Sequence, residues 1–165
     1  MTTRLEMKFC KKWFRAKKRP LDPLTEDEAQ LLHQNQEPYG VLVFKDEKLF
    51  SFLEIKKGYV GVGFFDDFQR EYLIHQYQQL QNDDLFLTMV ISRQFQDHTD
   101  QVHSGRSYIY SETGKTIVRK SLFIPNHQFE TLEFQSSIQK HYEKFPQFKL
   151  YNNFLDSNRI DLPKN

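Results

Sequence analysis

The sequence predicts an α+β protein that is mainly β. The expected architecture is an antiparallel meander sheet of about six to eight strands, one short N-terminal helix and an aromatic C-terminal tail packed on the body. Three observations carry this. Residues Gly40 to Phe95 fall into short segments rich in aromatic and β-branched residues, each bounded by Asp, Asn, Gly or Lys. Thr25-Glu26-Asp27-Glu28 is a capping-box pattern that opens one helical stretch. Sixteen Phe, eight Tyr and one Trp give a chain with an apolar share of only 38% the means to build a core, because each ring buries a large area.

Length and charge set further bounds. A chain of 165 residues is expected to form a single domain, 1–165. A net charge of +1 argues against a general binder of polyanions. Cys10 is the only cysteine, so no internal disulfide forms, as expected in a reducing compartment. No apolar stretch reaches the length of a secretory signal core or of a membrane span. The expected location is the cytoplasm, without membrane contact.

Residues 1–20 form a basic arm in which Lys8, Lys11, Lys12, Arg15, Lys17, Lys18 and Arg19 surround Phe9, Trp13 and Phe14. Such an arm suits nucleic acid, with stacking rings and phosphate-pairing cations. The simpler expectation is an amphipathic segment whose rings pack on the domain while its charges stay wet. Pro20 and Pro23 forbid a regular helix there. Residues 21–39 hold the helix and a linker. Thr25 is the expected N-cap, Glu28 its reciprocal partner, and the helix runs to about Gln34, before Pro38 and Gly40.

Residues 40–134 are the expected sheet. Strands are read at Val41–Lys45, Leu49–Lys56, Tyr59–Phe65, Arg70–Gln78 and Leu85–Phe95, with turns at Asp46-Glu47-Lys48, Lys57-Gly58, Asp66-Asp67 and Gln81-Asn82-Asp83. Gln96–Gly105 reads as a polar loop; its Asp97, His98, Asp100 and His103 match no metal-binding spacing. A hairpin of Arg106–Ser111 and Lys115–Ile124 follows, and Phe129–Phe134 reads as an edge strand. Gly61 and Gly63 share a face with Tyr59 and Phe65 and leave a trough. Either the helix packs there or the trough is a groove for a partner or ligand. In the C-terminal segment, 135–165, Ser136–Lys144 is open between short helix and loop, and Tyr142–Leu155 is too aromatic for a disordered tail.

No catalytic spacing is present: no phosphate loop, no Gly-x-Ser-x-Gly elbow, no His-Glu-x-x-His helix. Asp66, Asp67, Arg70, Glu71 and His75 cluster in sequence, as hydrolases require, but charged turns also solubilise sheets. Neither enzymatic activity nor any cofactor or metal is expected.

A resemblance adds to this reading. Tyr59-Val60-Gly61-Val62-Gly63-Phe64-Phe65-Asp66 followed by Arg70-Glu71-Tyr72-Leu73, and Asp84-Leu85-Phe86-Leu87 followed by Arg93-Gln94-Phe95, resemble a pattern in small bacterial proteins encoded beside secreted polymorphic toxins. Tyr108-Ile109-Tyr110-Ser111-Glu112-Thr113-Gly114-Lys115 and Tyr142-Glu143-Lys144-Phe145-Pro146-Gln147-Phe148 fit it too, whereas Lys149-Leu150-Tyr151 departs from its glycine-containing turn. These are immunity proteins of contact-dependent, Rhs and type VI systems. The resemblance implies an immunity protein that binds and neutralises a cognate toxin in interbacterial competition. The expected state is a monomer or a homodimer, since a free sheet edge can support a dimer. The resemblance assigns no binding residue. Interface energy concentrates in a few Tyr, Trp and Arg anchors ringed by polar groups, and acidic turns steer a basic partner. The candidate partner-binding residues are therefore Tyr59, Tyr72, Tyr77, Tyr108 and Tyr110, with Asp66, Asp67, Asp83 and Asp84. The alternatives are a nucleic-acid-binding protein using the basic arm, or a small-molecule-binding β domain with its pocket over Gly61 and Gly63.

Overall fold

A computed structural model describes residues 3–163. The fold is mainly β, as expected, but the described residues form eleven antiparallel strands rather than six to eight. They are β1 (Leu5–Phe14), β2 (Arg19–Leu24), β3 (Tyr39–Lys45), β4 (Lys48–Lys56), β5 (Tyr59–Phe65), β6 (Glu71–Gln79), β7 (Asp84–Phe95), β8 (Val102–Tyr110), β9 (Lys115–Leu122), β10 (Gln128–Gln135) and β11 (Tyr142–Lys144). The order across the sheet is β10-β9-β8-β7-β6-β5-β4-β3-β1-β2, with β11 added beside the N-terminal half of β7. From β3 to β10 each strand pairs with its neighbour in sequence, as a meander requires.

The extra strands come from two places. The basic arm is the β1–β2 hairpin, not a separate appendage; β1 pairs with β3 through Leu5–Cys10 and with β2 through Phe9–Phe14. Both prolines lie in β2, where an edge position tolerates their missing N–H groups. The stretch Ser136–Lys144 is neither a regular helix nor loop throughout: a single 3-10 turn at Gln139–His141 leads into β11. β8 begins at Val102, so the expected polar loop is shorter than Gln96–Gly105.

Helix α1 (Glu26–Gln34) forms as its capping box dictates. Glu28 N–H donates to Thr25 Oγ1 at 3.1 Å, and Thr25 N–H donates to Glu28 Oε1 at 3.3 Å. Its Ala29 is buried, and Leu32 packs on the core.

The register fixes the two faces of the sheet. One continuous row runs Leu24, Phe9, Val41, Leu53, Val62, His75, Val90, Tyr108, Val118, Leu132 from one edge to the other. All but its two end members are buried. This face is covered by α1 and by the C-terminal segment, whose Phe145, Phe148, Tyr151 and Phe154 pack on it. The aromatic tail therefore docks, as its composition predicts. Arg159 fastens it: its guanidinium donates to the carbonyls of Lys140 and Tyr142, each at 2.7 Å, to Asn153 O at 3.0 Å and to Glu143 Oε2 at 2.9 Å. Tyr39 and Tyr151 share a hydrogen bond of 2.8 Å between their hydroxyls beneath the tail.

Candidate protein-interaction surface

Neither α1 nor the tail covers the other face, so what lies there is set by the strands and the β1–β2 hairpin. Beyond Cys10 the hairpin leaves β3 and crosses this face. Trp13 packs on the rings of Phe52 and Phe65, within a small second core with Leu42 and Leu49. Arg15 Nη2 lies 2.7 Å from Glu71 Oε1, and Lys18 Nζ lies 2.8 Å from Asp100 Oδ1 in the β7–β8 loop. Lys18 also donates to the carbonyl of Phe68. The hairpin tip is thus strapped down at three points.

Beside the hairpin lies a groove of about 470 Å³, floored by Gly61 and Gly63 and lined by Lys11, Lys12, Trp13, Arg15, Tyr59, Glu71 and Gln76. Two large side chains fill the space the glycines leave. The Tyr59 ring folds over Gly61, and the Glu71 carboxylate stands over Gly63. Glu71 is nearly enclosed, its side chain 11% exposed, and also meets Arg93 Nη1 at 3.3 Å. The helix does not pack on the glycines, contrary to the simpler expectation; it sits on the opposite face with Tyr39 and Phe9.

Next to the groove the open face carries aliphatic side chains. The row Gly63, Ile74, Ile91 and the row Gly61, Gln76, Met89, Ile109, Ile117 lie side by side across β5–β9. Ile74, Met89, Ile91, Ile109 and Ile117 form a band none of whose members is buried, and Ile109 is 43% exposed. Nothing in the described residues covers it.

The nine sequence-predicted residues divide. Tyr77, Tyr108 and Tyr110 are buried core residues under the tail, which removes them from the surface. The alternation places Tyr77 and Tyr108 on the covered face, and their rings fill it. Tyr72 is half-buried against the core, and Tyr59 lines the groove. The acids hold turns. Asp66 accepts from Phe68 N at 2.9 Å, Arg70 N at 3.0 Å and Arg70 Nε at 2.8 Å. Asp83 occupies a positive-φ turn position and accepts from Gln79, and Asp84 pairs with Lys144 to seat β11. Asp67 is exposed, 3.7 Å from Lys48. The aliphatic band was the feature that sequence reading missed. Its signal is the apolar run of β7, Leu85-Phe86-Leu87-Thr88-Met89-Val90-Ile91, interrupted only by Thr88 and apolar at both parities.

The cluster Asp66, Asp67, Arg70, Glu71, His75 does not converge. The sheet separates Glu71, on the open face, from His75, in the buried row. Desolvation, aided by the positive charge of Arg159, lowers the His75 pKa from its ordinary 6.5 to about 4. Among the described residues its Nδ1 has no hydrogen-bond partner, and neither has the Tyr77 hydroxyl. Cys10 is buried, donates to Lys12 O at 3.3 Å, and desolvation raises its pKa to about 11, so the thiol stays protonated. His98 packs tilted against Phe68, and no group of three His, Cys, Asp or Glu among the described residues is arranged to hold a metal ion. No described helix is long and apolar enough to cross a membrane.

Comparison with known proteins finds no family model, no curated protein and no solved structure that matches this chain. The functional reading therefore rests on the surface itself. Its rings at Phe9 and Trp13 are turned into packing with Phe148, Phe52 and Phe65, so the basic arm offers no free stacking platform at those positions.

Proposed function

We propose that this chain is an immunity protein that binds a cognate bacterial toxin in the cytoplasm and neutralises it by covering it, without chemistry of its own. The observation that carries the proposal is the open face. Five adjacent apolar side chains, the exposed Ile109 and the half-buried Ile74, Met89, Ile91 and Ile117, lie beside a groove lined by Tyr59, Trp13 and Arg15. Contiguous apolar patches rimmed by polar groups mark protein interfaces, and Tyr, Trp and Arg are the residue types that anchor them. The rim here is Lys11, Lys12, Glu54 and Gln76. The resemblance of the Tyr59–Leu73 and Asp84–Phe95 stretches to immunity proteins points the same way. Co-expression with the toxin encoded beside the gene tests the reading: cells survive only when this protein is present, and equal killing with and without it ends the proposal. Ile109→Glu, at an exposed position, is expected to abolish protection while leaving the thermal melt unchanged.

A second reading is a small-molecule-binding β domain. Neither helix nor tail plugs the groove over Gly61 and Gly63, and its volume lies in the range of ligand sites, roughly 300–1,000 Å³. A metabolite panel in a thermal-shift assay separates the two: a ligand whose shift is lost in Tyr59→Ala favours the small molecule, and no shift across the panel favours the toxin.

A further inference from the structure

The two edges of the sheet are built in opposite ways. At one edge, β2 carries Pro20 and Pro23, which lack N–H groups, and Asp22 at φ 53°, which breaks the extended backbone. Such features stop a foreign strand from pairing. At the other edge, β10 is Gln-Phe-Glu-Thr-Leu-Glu-Phe-Gln, with no proline, no glycine and no basic residue. Its register with β9 runs through eight pairs without a shift, and every one of its residues is exposed. Phe129 is 62%, Leu132 46% and Phe134 39% exposed, a large apolar content for a strand bonded on one side only.

The free hydrogen-bonding groups of β10 can be named. Ser136 N–H donates to Gly114 O at 2.8 Å, in register with the β9–β10 ladder. Antiparallel residues alternate between bonding toward the neighbour and away from it. The even-numbered residues therefore bond to β9, and Phe129, Thr131, Glu133 and Gln135 point their N–H and C=O groups outward.

We propose that this edge pairs with the same edge of a second copy, β10 against β10, with the two-fold axis at Leu132. Antiparallel pairing about an axis normal to the sheet keeps each face continuous, so opposed residues must share a face. With Leu132 on the axis, Glu130 lies opposite Phe134 of the second copy and Thr131 opposite its Glu133. No carboxylate faces another, and the outward groups of Thr131 and Glu133 meet as a bonded pair. The second reason is the buried row. It runs from Phe9 through Val90, Tyr108 and Val118 to Leu132, and stops there half-exposed. In this register it continues through the axis as Val118, Leu132, and then Leu132 and Val118 of the copy, with Phe134 of each chain diagonal to the Leu132 pair. A strand of arbitrary sequence would not complete that row. The pairing uses the edge and not the open face, so it stands or falls separately from toxin binding.

The test needs only the full chain. Sedimentation equilibrium across a concentration series is expected to show a mass rising to twice 19.9 kDa. Thr131→Pro removes an outward N–H without touching the β9 ladder, and is expected to weaken association at least tenfold with an unchanged circular dichroism spectrum. Leu132→Cys reads the register directly. Leu132 would form a non-hydrogen-bonded pair with its copy, at a Cα separation of about 4.5 Å, within disulfide reach. Mild oxidation is expected to give a covalent dimer from Leu132→Cys and none from Glu130→Cys. A monomer at all concentrations, a dimer untouched by Thr131→Pro, or cross-linking of Glu130→Cys in preference to Leu132→Cys would each overturn the proposal.

Discussion

The carboxylate of Glu71 stands where a side chain on residue 63 would have to go. Gly63 is therefore a packing requirement, and what it makes room for is an ion pair: Glu71 Oε1 meets Arg15 at 2.7 Å and Arg93 at 3.3 Å. Through Arg15 that contact also fixes the β1–β2 hairpin over the open face.

Gly63→Ala is expected to push Glu71 out of this position, release the Arg15 strap on the hairpin and cost about 1–3 kcal/mol, the usual range for overpacking. Urea unfolding measures the loss. Gly61→Ala should cost less, because what it meets is the movable end of the Tyr59 side chain.

Arg159→Ala removes four hydrogen bonds that hold the tail to itself and to the 3-10 turn before β11. The expected cost is about 2–4 kcal/mol, since hydrogen bonds to charged groups contribute more than neutral ones. Hydrogen exchange should accelerate over 138–155 and stay slow in β3–β6. Arg159→Lys is expected to rescue little, because one ammonium cannot span acceptors arranged for a planar fork.

The Tyr39 hydroxyl lies 2.8 Å from both the Tyr151 hydroxyl and His33 Nδ1. Tyr151→Phe is expected to cost about 1 kcal/mol and Tyr39→Phe somewhat more, because the latter leaves two partners unsatisfied. A double-mutant cycle should give a coupling of about 0.5–1 kcal/mol. Additivity would show the pair to be uncoupled.

Acid should weaken the fold through His75. Its pKa is about 4 folded against an ordinary 6.5, so between those values the unfolded chain binds a proton that the folded chain refuses. Stability is full above about pH 6.5 and falls as the pH drops toward 4, by about 3 kcal/mol in all from this group. Desolvation lowers His33 and His141 as well, which adds to the same slope. Asp156 opposes the shift of His75, and Arg159 and His141 support it. Denaturation midpoints from pH 7 to 4 test this; the slope should flatten in His75→Gln.

How much of this was legible in the sequence differs by element. α1 was, because the reciprocal bonds of Thr25 and Glu28 are a local device that no tertiary contact needs to supply. The β4–β5 hairpin was too, since Lys57-Gly58 places a glycine at φ 67° where the turn needs it. The β1–β2 hairpin was not: its lysines hid the alternation of Met7 and Phe9, and Pro20 and Pro23 argued against a strand that tolerates them only at an edge. The candidate site was legible in part. Tyr59 and the paired glycines were visible from their spacing, but which face of β6–β9 stays open depends on where the tail lies, and no local pattern in those strands records it. The same ignorance put Tyr77, Tyr108 and Tyr110 among the candidates.

A ribosome delivers β3 to β10 in the order in which they pair, so each hairpin can zip up as it emerges. The lid comes last. Tyr151 meets Tyr39 across 112 positions, and the Arg159 clasp is translated only after β3 to β10. Until then the nascent chain holds Val41, Val62 and Val90 without the tail over them, which makes it a natural client for chaperones at the exit tunnel and leaves any prematurely truncated product prone to aggregate.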